Sequence, residues 1–172
     1  MVRIRRFDER TIELFNAGAT PVNLLGWSLT DSTNELARWT FPSTNLPPNG
    51  YLVVFASGKN RAVAGRRLHT DFSLNADGEY LALLTPEGEV VSESSSQFPR
   101  QFVDVSYGFR QGRQYYFSKP TPGAPNEGGY NDFVADTKFS DDRGFFDRPF
   151  QLAITTATPG ALRLLEAKKK RL

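Results

Sequence analysis

Short apolar runs, separated by turn-forming residues, recur along the first 125 residues of the chain. In residues 27–30 apolar and polar side chains alternate, and this period of two is typical of a strand with one buried face. Residues 51–56 and 79–85 are apolar on both faces, which predicts central strands. Turn sequences such as PPNG at 47–50 separate the runs. Many short strands with a turn at roughly every tenth residue predict an all-β sandwich or barrel.

The same alternation predicts which side chains form the core. The two tryptophans could stack on sugar rings, but both occupy positions that should face inward, which favours core packing. The predicted core comprises Trp27, Trp39, Val53, Phe55, Leu81 and Leu83.

Proline-rich sequence after residue 119 predicts the end of the first unit, because proline lacks the N–H that a central strand needs. The segment that begins at Phe133 contains two or three strand-like stretches, and its composition then becomes basic and helix-forming. Two or three strands bury too little to be stable alone. The predicted order is a disordered or mis-read N-terminal arm (1–10), a β-sandwich (11–126), a linker (127–132), a partial second β-domain (133–161) and a basic tail (162–172).

The composition restricts the classes of protein that fit. The chain has no cysteine, so it has neither disulfides nor thiolate metal sites. No run of about 20 apolar residues occurs, and no apolar segment follows the basic start, so we expect neither membrane insertion nor a signal peptide in this stretch. Seven basic residues lie near the two ends; without them the chain has 14 basic and 19 acidic residues, so its body is mildly acidic.

A series of motifs in the first unit resembles the bacterial lamin tail domain. They are IELFNAG (12–18), VNLLGWSLTD (22–31), WTFP (39–42), LPPNGYLVVFASG (46–58), LHTDFSLNADGEYLALLTPEGEVV (68–91), DVSYG (104–108) and FSKPTPGAPN (117–126). The resemblance implies an immunoglobulin-like β-sandwich that serves binding and scaffolding and has no catalytic centre. It further implies a larger bacterial surface or secreted protein, so an extracellular or cell-envelope location is expected.

Residues 139–161 are similar to the start of the chitobiase C-terminal type of β-sandwich repeat. In that pattern a further strand and a DGS-type turn follow, whereas this chain continues with LRLLEAKKKRL. At the other end, Arg10 and Thr11 stand where lamin tail domains usually have an acidic residue and tryptophan. The two departures predict a gene fragment or a frame-shifted reading at the ends.

Candidate chemistry is sparse, and we expect no enzyme activity, no cofactor and no metal site. The single histidine, His69, has Ser57, Ser73 and Asp71 nearby in sequence, but no nucleophile-elbow glycines surround them. A structural histidine that hydrogen-bonds a loop is the favoured interpretation, and a hydrolase accessory function remains an alternative. The aspartates at 141, 142 and 147 lack the spacing of an EF-hand.

The best candidate site is the basic loop KNRAVAGRR at residues 59–67. Its cations, Lys59, Arg61, Arg66 and Arg67, lie between two well-matched strands and could contact phosphates or acidic glycans, although solubility is the favoured interpretation of their charge. The favoured function is a non-catalytic interaction or structural module that binds protein or glycan through loops or a sheet edge. The alternative is a nucleic-acid-binding module that uses this loop. The second basic run, KKKR at 168–171, is typical of a solvated tail.

Overall fold

The computed structural model describes the backbone of residues 2–8 and all of residues 11–94, 98–133, 138–140 and 151–158. The chain divides into two compact units, Met1–Asn131 and Asp132–Leu172. Regular structure in the described ranges is entirely β, as predicted, and no helix in them is long and apolar enough to cross a membrane. The strands of the first unit are β1 (Val2–Asp8), β2 (Thr11–Asn16), β3 (Val22–Asn23), β4 (Ser28–Thr30), β5 (Trp39–Thr40), β6 (Asn45–Leu46), β7 (Tyr51–Phe55), β8 (Leu68–His69), β9 (Ala82–Leu84), β10 (Val90–Glu93), β11 (Ser106–Arg110) and β12 (Arg113–Phe117).

The larger sheet has six strands in the order β12-β11-β1-β2-β7-β8. Its central pair is β2 with β7, which run antiparallel from Thr11 opposite Phe55 to Phe15 opposite Tyr51. Strand β8 joins β7 in parallel, with His69 opposite Phe55. Side chains opposite one another on paired strands share a face of the sheet, so this register decides which residues meet.

The smaller sheet has four strands in the order β10-β9-β4-β5. A tight turn joins β9 to β10, in which the N–H of Thr85 donates to the carbonyl of Glu89. Gly88 adopts φ +86° there, as the Glu87–Gly88 turn signal predicts. A two-stranded ribbon of β3 and β6 accompanies the two sheets.

One hydrophobic core is shared by the strands of both sheets, which confirms the predicted immunoglobulin-like β-sandwich. Trp39 and Phe41 form an edge-to-face pair within it, with ring centroids 4.8 Å apart. Its fully buried side chains include Ile12, Leu14, Leu24, Leu29, Trp39, Phe41, Val54, Leu68, Leu81 and Leu83.

The predicted inner face of β7 was wrong. Val54 is fully buried and Leu52 packs against the core, whereas Val53 and Phe55 are half-buried on the opposite face. Every side chain of YLVVFA is apolar, so alternation could not distinguish the two faces. Trp27, which directly precedes β4, is likewise only partly buried.

The N-terminal arm was also predicted wrongly. Residues 2–8 form β1, which pairs with β2 on one side and with β11 on the other. Val2 and Ile4 alternate with Arg3 and Arg5 in sequence, a period of two that the basic residues obscured. The register shifts between Arg6 and Asp8, so the strand contains an irregularity near its end.

The segment after β12 folds back onto the larger sheet. The N–H of Gly123 donates to Oε1 of the fully buried Glu13 at 2.7 Å, and the side-chain amide of Asn126 donates to the carbonyl of Phe109. Tyr130 then forms a two-way backbone bridge with Tyr116, which covers the edge of β12.

In the second unit, β13 (Lys138–Phe139) pairs antiparallel with β14 (Ile154–Thr155). Phe139 is 57% exposed and Leu152 is 46% exposed. Residues 127–131 of the predicted linker belong to the first unit, where Tyr130 pairs with Tyr116, so that unit extends past the predicted end at Asn126. The partial β-domain and basic tail stay predictions, because residues 134–137, 141–150 and 159–172 lie outside the described part of the chain.

Candidate anion-binding loop

The basic loop is part of the connection between the parallel strands β7 and β8. Its start is fixed by backbone hydrogen bonds from Asn60 N–H to the Thr70 carbonyl and between Arg61 and His69 in both directions, at 2.8 and 3.0 Å. Its tip is a turn closed by Arg66 N–H and the Val63 carbonyl. The loop base is therefore an extension of the sheet rather than a free coil.

The four predicted site residues all lie on this loop and all are exposed. Within the described residues none of them forms an ion pair or a side-chain hydrogen bond. The loop contains no acidic residue that could neutralise them. Their positive charge is therefore available to a partner. They are Lys59, Arg61, Arg66 and Arg67.

His69 lies at the base of this loop, on the outer face of the larger sheet. Its ring stacks on Phe55, with centroids 5.0 Å apart and planes 21° from parallel. Its Nδ1 lies 2.8 Å from the Ser57 hydroxyl oxygen. This agrees with the prediction of a structural histidine, but the partner is a strand-end serine twelve residues earlier.

The charges around His69 are positive. Desolvation and then the cations Arg61, Lys59 and Arg67 lower the pKa of His69 below its ordinary value of 6.5. Positive neighbours act in this direction because they disfavour a second positive charge. Three of the four loop cations therefore lie close enough to act on one ring.

Asp71, the acid that a hydrolase would need beside His69, is engaged elsewhere. Its Oδ1 lies 3.7 Å from Nε of Arg38, and Nη1 of Arg38 donates to Oδ1 of Asp31 at 2.5 Å. Asp71 forms no hydrogen bond with His69. The structure brings Ser57 and His69 together without an acid to complete a triad.

Metal and sugar sites receive no support from the described residues. They contain no group of three or more His, Cys, Asp or Glu side chains that could hold a metal ion. Trp39 is buried and has no open face for stacking on a sugar, and Trp27 is partly buried against the core. The aspartates at 141, 142 and 147 and the run KKKR at 168–171 lie outside the described residues.

Sequence analysis found the cations of this site but not the groups at its base. Phe55 and Ser57 are brought to His69 by the parallel register of β7 and β8, a long-range pairing that no local pattern encodes. The sequence offered one clue to this grouping: His69 follows β7 after a short spacing, and Ser57 lies just beyond the end of that strand.

Comparison with known families agrees with this architecture. The family model described as Lamin Tail Domain matches residues 2–97, which is more than half of the chain and includes β1 and the whole basic loop. No curated protein matches the chain.

Proposed function

Because the chain belongs to the lamin tail domain family, we propose that it is a non-catalytic interaction module of a larger bacterial surface or secreted protein. The family is one of immunoglobulin-like domains, in which loops on a rigid sandwich commonly carry the binding residues. An extracellular or cell-envelope location and a bacterial parent are parts of this proposal. So is the similarity of residues 139–161 to a chitobiase-type repeat, which would add a second β-module.

The observation that carries the proposal is the unpaired charge of the basic loop. Four exposed cations that form no ion pair with any other described residue repel one another, and an acidic partner would relieve that repulsion. The rest of the chain body is mildly acidic, so the loop is a local positive patch that could orient an acidic ligand.

At the larger sheet, we propose that the partner binds through loops rather than by adding a strand to a sheet edge. Both of its edges are covered, at β12 by the backbone bridge from Tyr116 to Tyr130 and at β8 by the bridge from His69 to Arg61. A strand added by a partner would have to displace these contacts. We therefore propose an acidic protein or an acidic glycan as the partner, bound at residues 59–67.

A nucleic acid is the second candidate, because the same four cations could neutralise phosphates. Binding of nucleic acid falls steeply as salt rises, since each neutralised phosphate releases counterions. Binding to an acidic protein should depend less on salt, because apolar contacts would contribute to it. If the module were instead an accessory domain of a hydrolase, the ligand of this loop would be the substrate of that hydrolase.

The test uses the full chain and charge reversal at matched positions. Arg66→Glu with Arg67→Glu should abolish binding to a sulfated polysaccharide and to an acidic peptide, measured by isothermal calorimetry at low salt. The control is Arg113→Glu with Lys119→Glu, which reverses two exposed charges outside the loop. Equal losses in both variants would mean that net charge, not the loop, determines binding, and the proposal would fail. A single-stranded oligonucleotide that binds more tightly than either probe, with a steep salt dependence, would favour the second candidate.

A further inference from the structure

The ring of His69 lies on the outer face of the larger sheet, near the loop cations, and Nε2 is the ring nitrogen that Ser57 does not contact. Phe55 stacks on the imidazole and Ser57 binds its Nδ1, so both the plane and the rotation of the ring are fixed. A hydroxyl that donates to Nδ1 leaves the hydrogen of the neutral ring on Nε2. Within the described residues Nε2 has no hydrogen-bond partner. In the tautomer in which Nδ1 accepts from the Ser57 hydroxyl, the ring presents an oriented N–H donor to solvent.

The nearest cation is placed by the backbone. Arg61 and His69 exchange two backbone hydrogen bonds, so they are a directly opposed antiparallel pair with side chains on the same face. Arg67 is exposed and lies directly before β8, two residues from His69, and the intervening Leu68 is buried in the core.

We propose that His69, Arg61, Lys59 and Arg67 form a subsite for one phosphate or sulfate group of the ligand, with Ser57 as the residue that positions the imidazole. This inference rests on the proposed function, because it names the anionic group that the basic loop would bind. A tetrahedral oxyanion suits the subsite better than a carboxylate does. It carries up to two charges and three acceptor oxygens, which match several cations and one N–H donor.

The electrostatics agree with an anion subsite. The charged groups that act on His69 are Arg61, Lys59 and Arg67 from the loop. The groups in contact with the ring, Phe55 of β7 and Ser57 beyond its end, are neutral, and the carboxylate of Asp71, two residues after His69, lies beside Arg38. Desolvation and then these cations lower the pKa of His69 in the free protein. A bound dianion would reverse that effect, so the pKa of His69 should rise when the subsite is filled.

Because His69 is the only histidine, its ring gives a single set of NMR signals in the full chain. Inorganic phosphate and inorganic sulfate, each added at constant ionic strength, should shift the ring signals saturably and raise the pKa of His69. Acetate at the same concentration is the comparison. An equal response to acetate would overturn the assignment to phosphate or sulfate, and a linear response to all three anions would show ionic strength alone and overturn the subsite. A stronger response to either tetrahedral anion identifies whether the ligand group is a phosphate or a sulfate ester.

Two arginine variants in the same exposed loop separate the subsite from general attraction. Arg61→Gln should weaken binding of the preferred anion about tenfold, as expected for loss of a charge-assisted hydrogen bond. Arg66→Gln should weaken it about twofold at most, because Arg66 is not among the charges that act on His69. Equal losses would overturn the subsite. Ser57→Ala should weaken binding about threefold to fivefold while circular dichroism stays unchanged, and unchanged affinity would remove Ser57 from the assignment.

The outcome for the subsite is distinguishable from the outcome for the proposed function. If phosphate and sulfate leave His69 unchanged while the sulfated polysaccharide still binds through Arg66 and Arg67, the subsite is wrong and the proposed function stands. If neither the small anions nor the polymers bind, both are wrong.

Discussion

The two adjacent valines of β7 should respond very differently to truncation. Val54 is fully buried between the sheets, opposite Ile12, whereas Val53 is half-buried on the outer face, opposite Glu13. Replacing valine by alanine removes two methyl groups, worth about 0.8 kcal/mol each when fully buried. A cavity at Val54 would add about 1 kcal/mol. We therefore expect Val54→Ala to lower the free energy of unfolding by about 2.5 kcal/mol and Val53→Ala by less than about 1 kcal/mol.

Urea unfolding of the full chain, followed by tryptophan fluorescence, measures this difference. Both tryptophans belong to the first unit and contact its core, so the signal reports on the sandwich. The dependence of the free energy on urea should be unchanged, because neither substitution alters the surface that unfolding exposes. Equal losses, or a larger loss for Val53→Ala, would refute the assignment of the inner face of β7.

Three further predictions concern the core, a turn and the histidine. Leu83→Ala, in the centre of β9, should cost about 2–5 kcal/mol in the same urea assay, and a loss below about half a kcal/mol would mean that β9 is not central. Gly78→Ala should prevent stable folding or cost more than about 3 kcal/mol, because φ is +100° and a Cβ would lie 1.9 Å from the carbonyl oxygen of Phe98. Its control Gly88→Ala, with φ +86° but open space around it, should cost only about 1 kcal/mol; similar thermal midpoints for the two variants would contradict this. Because the pKa of His69 is lowered in the folded state, the unfolded chain takes up the proton first, so stability should decrease as pH falls below 6.5. His69→Gln should remove that part of the pH dependence of the urea midpoint, and identical pH profiles for variant and parent would exclude it.

The fold class could be predicted from the sequence because two independent signals agreed. Alternation and turn spacing indicated a sandwich, and the ordered motifs resembled one family. Both signals depend on local residue order, and the structure retains it in elements such as the β9–β10 hairpin with its turn at Gly88.

The predictions that were wrong concern features that depend on pairing between strands far apart in the sequence. Strand β1 is half basic in sequence, yet it lies between β2 and β11, and its place depends on partners more than 90 residues apart along the chain. The face of β7 was ambiguous because all its residues are apolar, and only the pairing with Ile12 and Leu14 resolves it. Strand β8 has just two residues, too few for a period to be recognised.

In the candidate site, too, local features could be predicted from the sequence and long-range contacts could not. The four loop cations could be read from the sequence because charge is a local property. The convergence of three of them on His69 could not, since it follows from the parallel register of β7 and β8 and from the bridge between Arg61 and His69. The identity of the hydrogen-bond partner, Ser57 rather than Asp71, follows from the same register.

The topology also explains why the loop's charge is informative. Parallel strands cannot be joined by a tight turn, so β7 and β8 require a connection of about a dozen residues, here 56–67. The fold therefore accounts for the length of this segment but not for its composition. Four exposed cations in a segment without acidic residues repel one another and, within the described chain, form no ion pair that would offset the repulsion. A neutral loop of equal length would satisfy the topology with less repulsion. The sandwich therefore does not require the positive charge, and the charge-reversal experiment tests whether a ligand does.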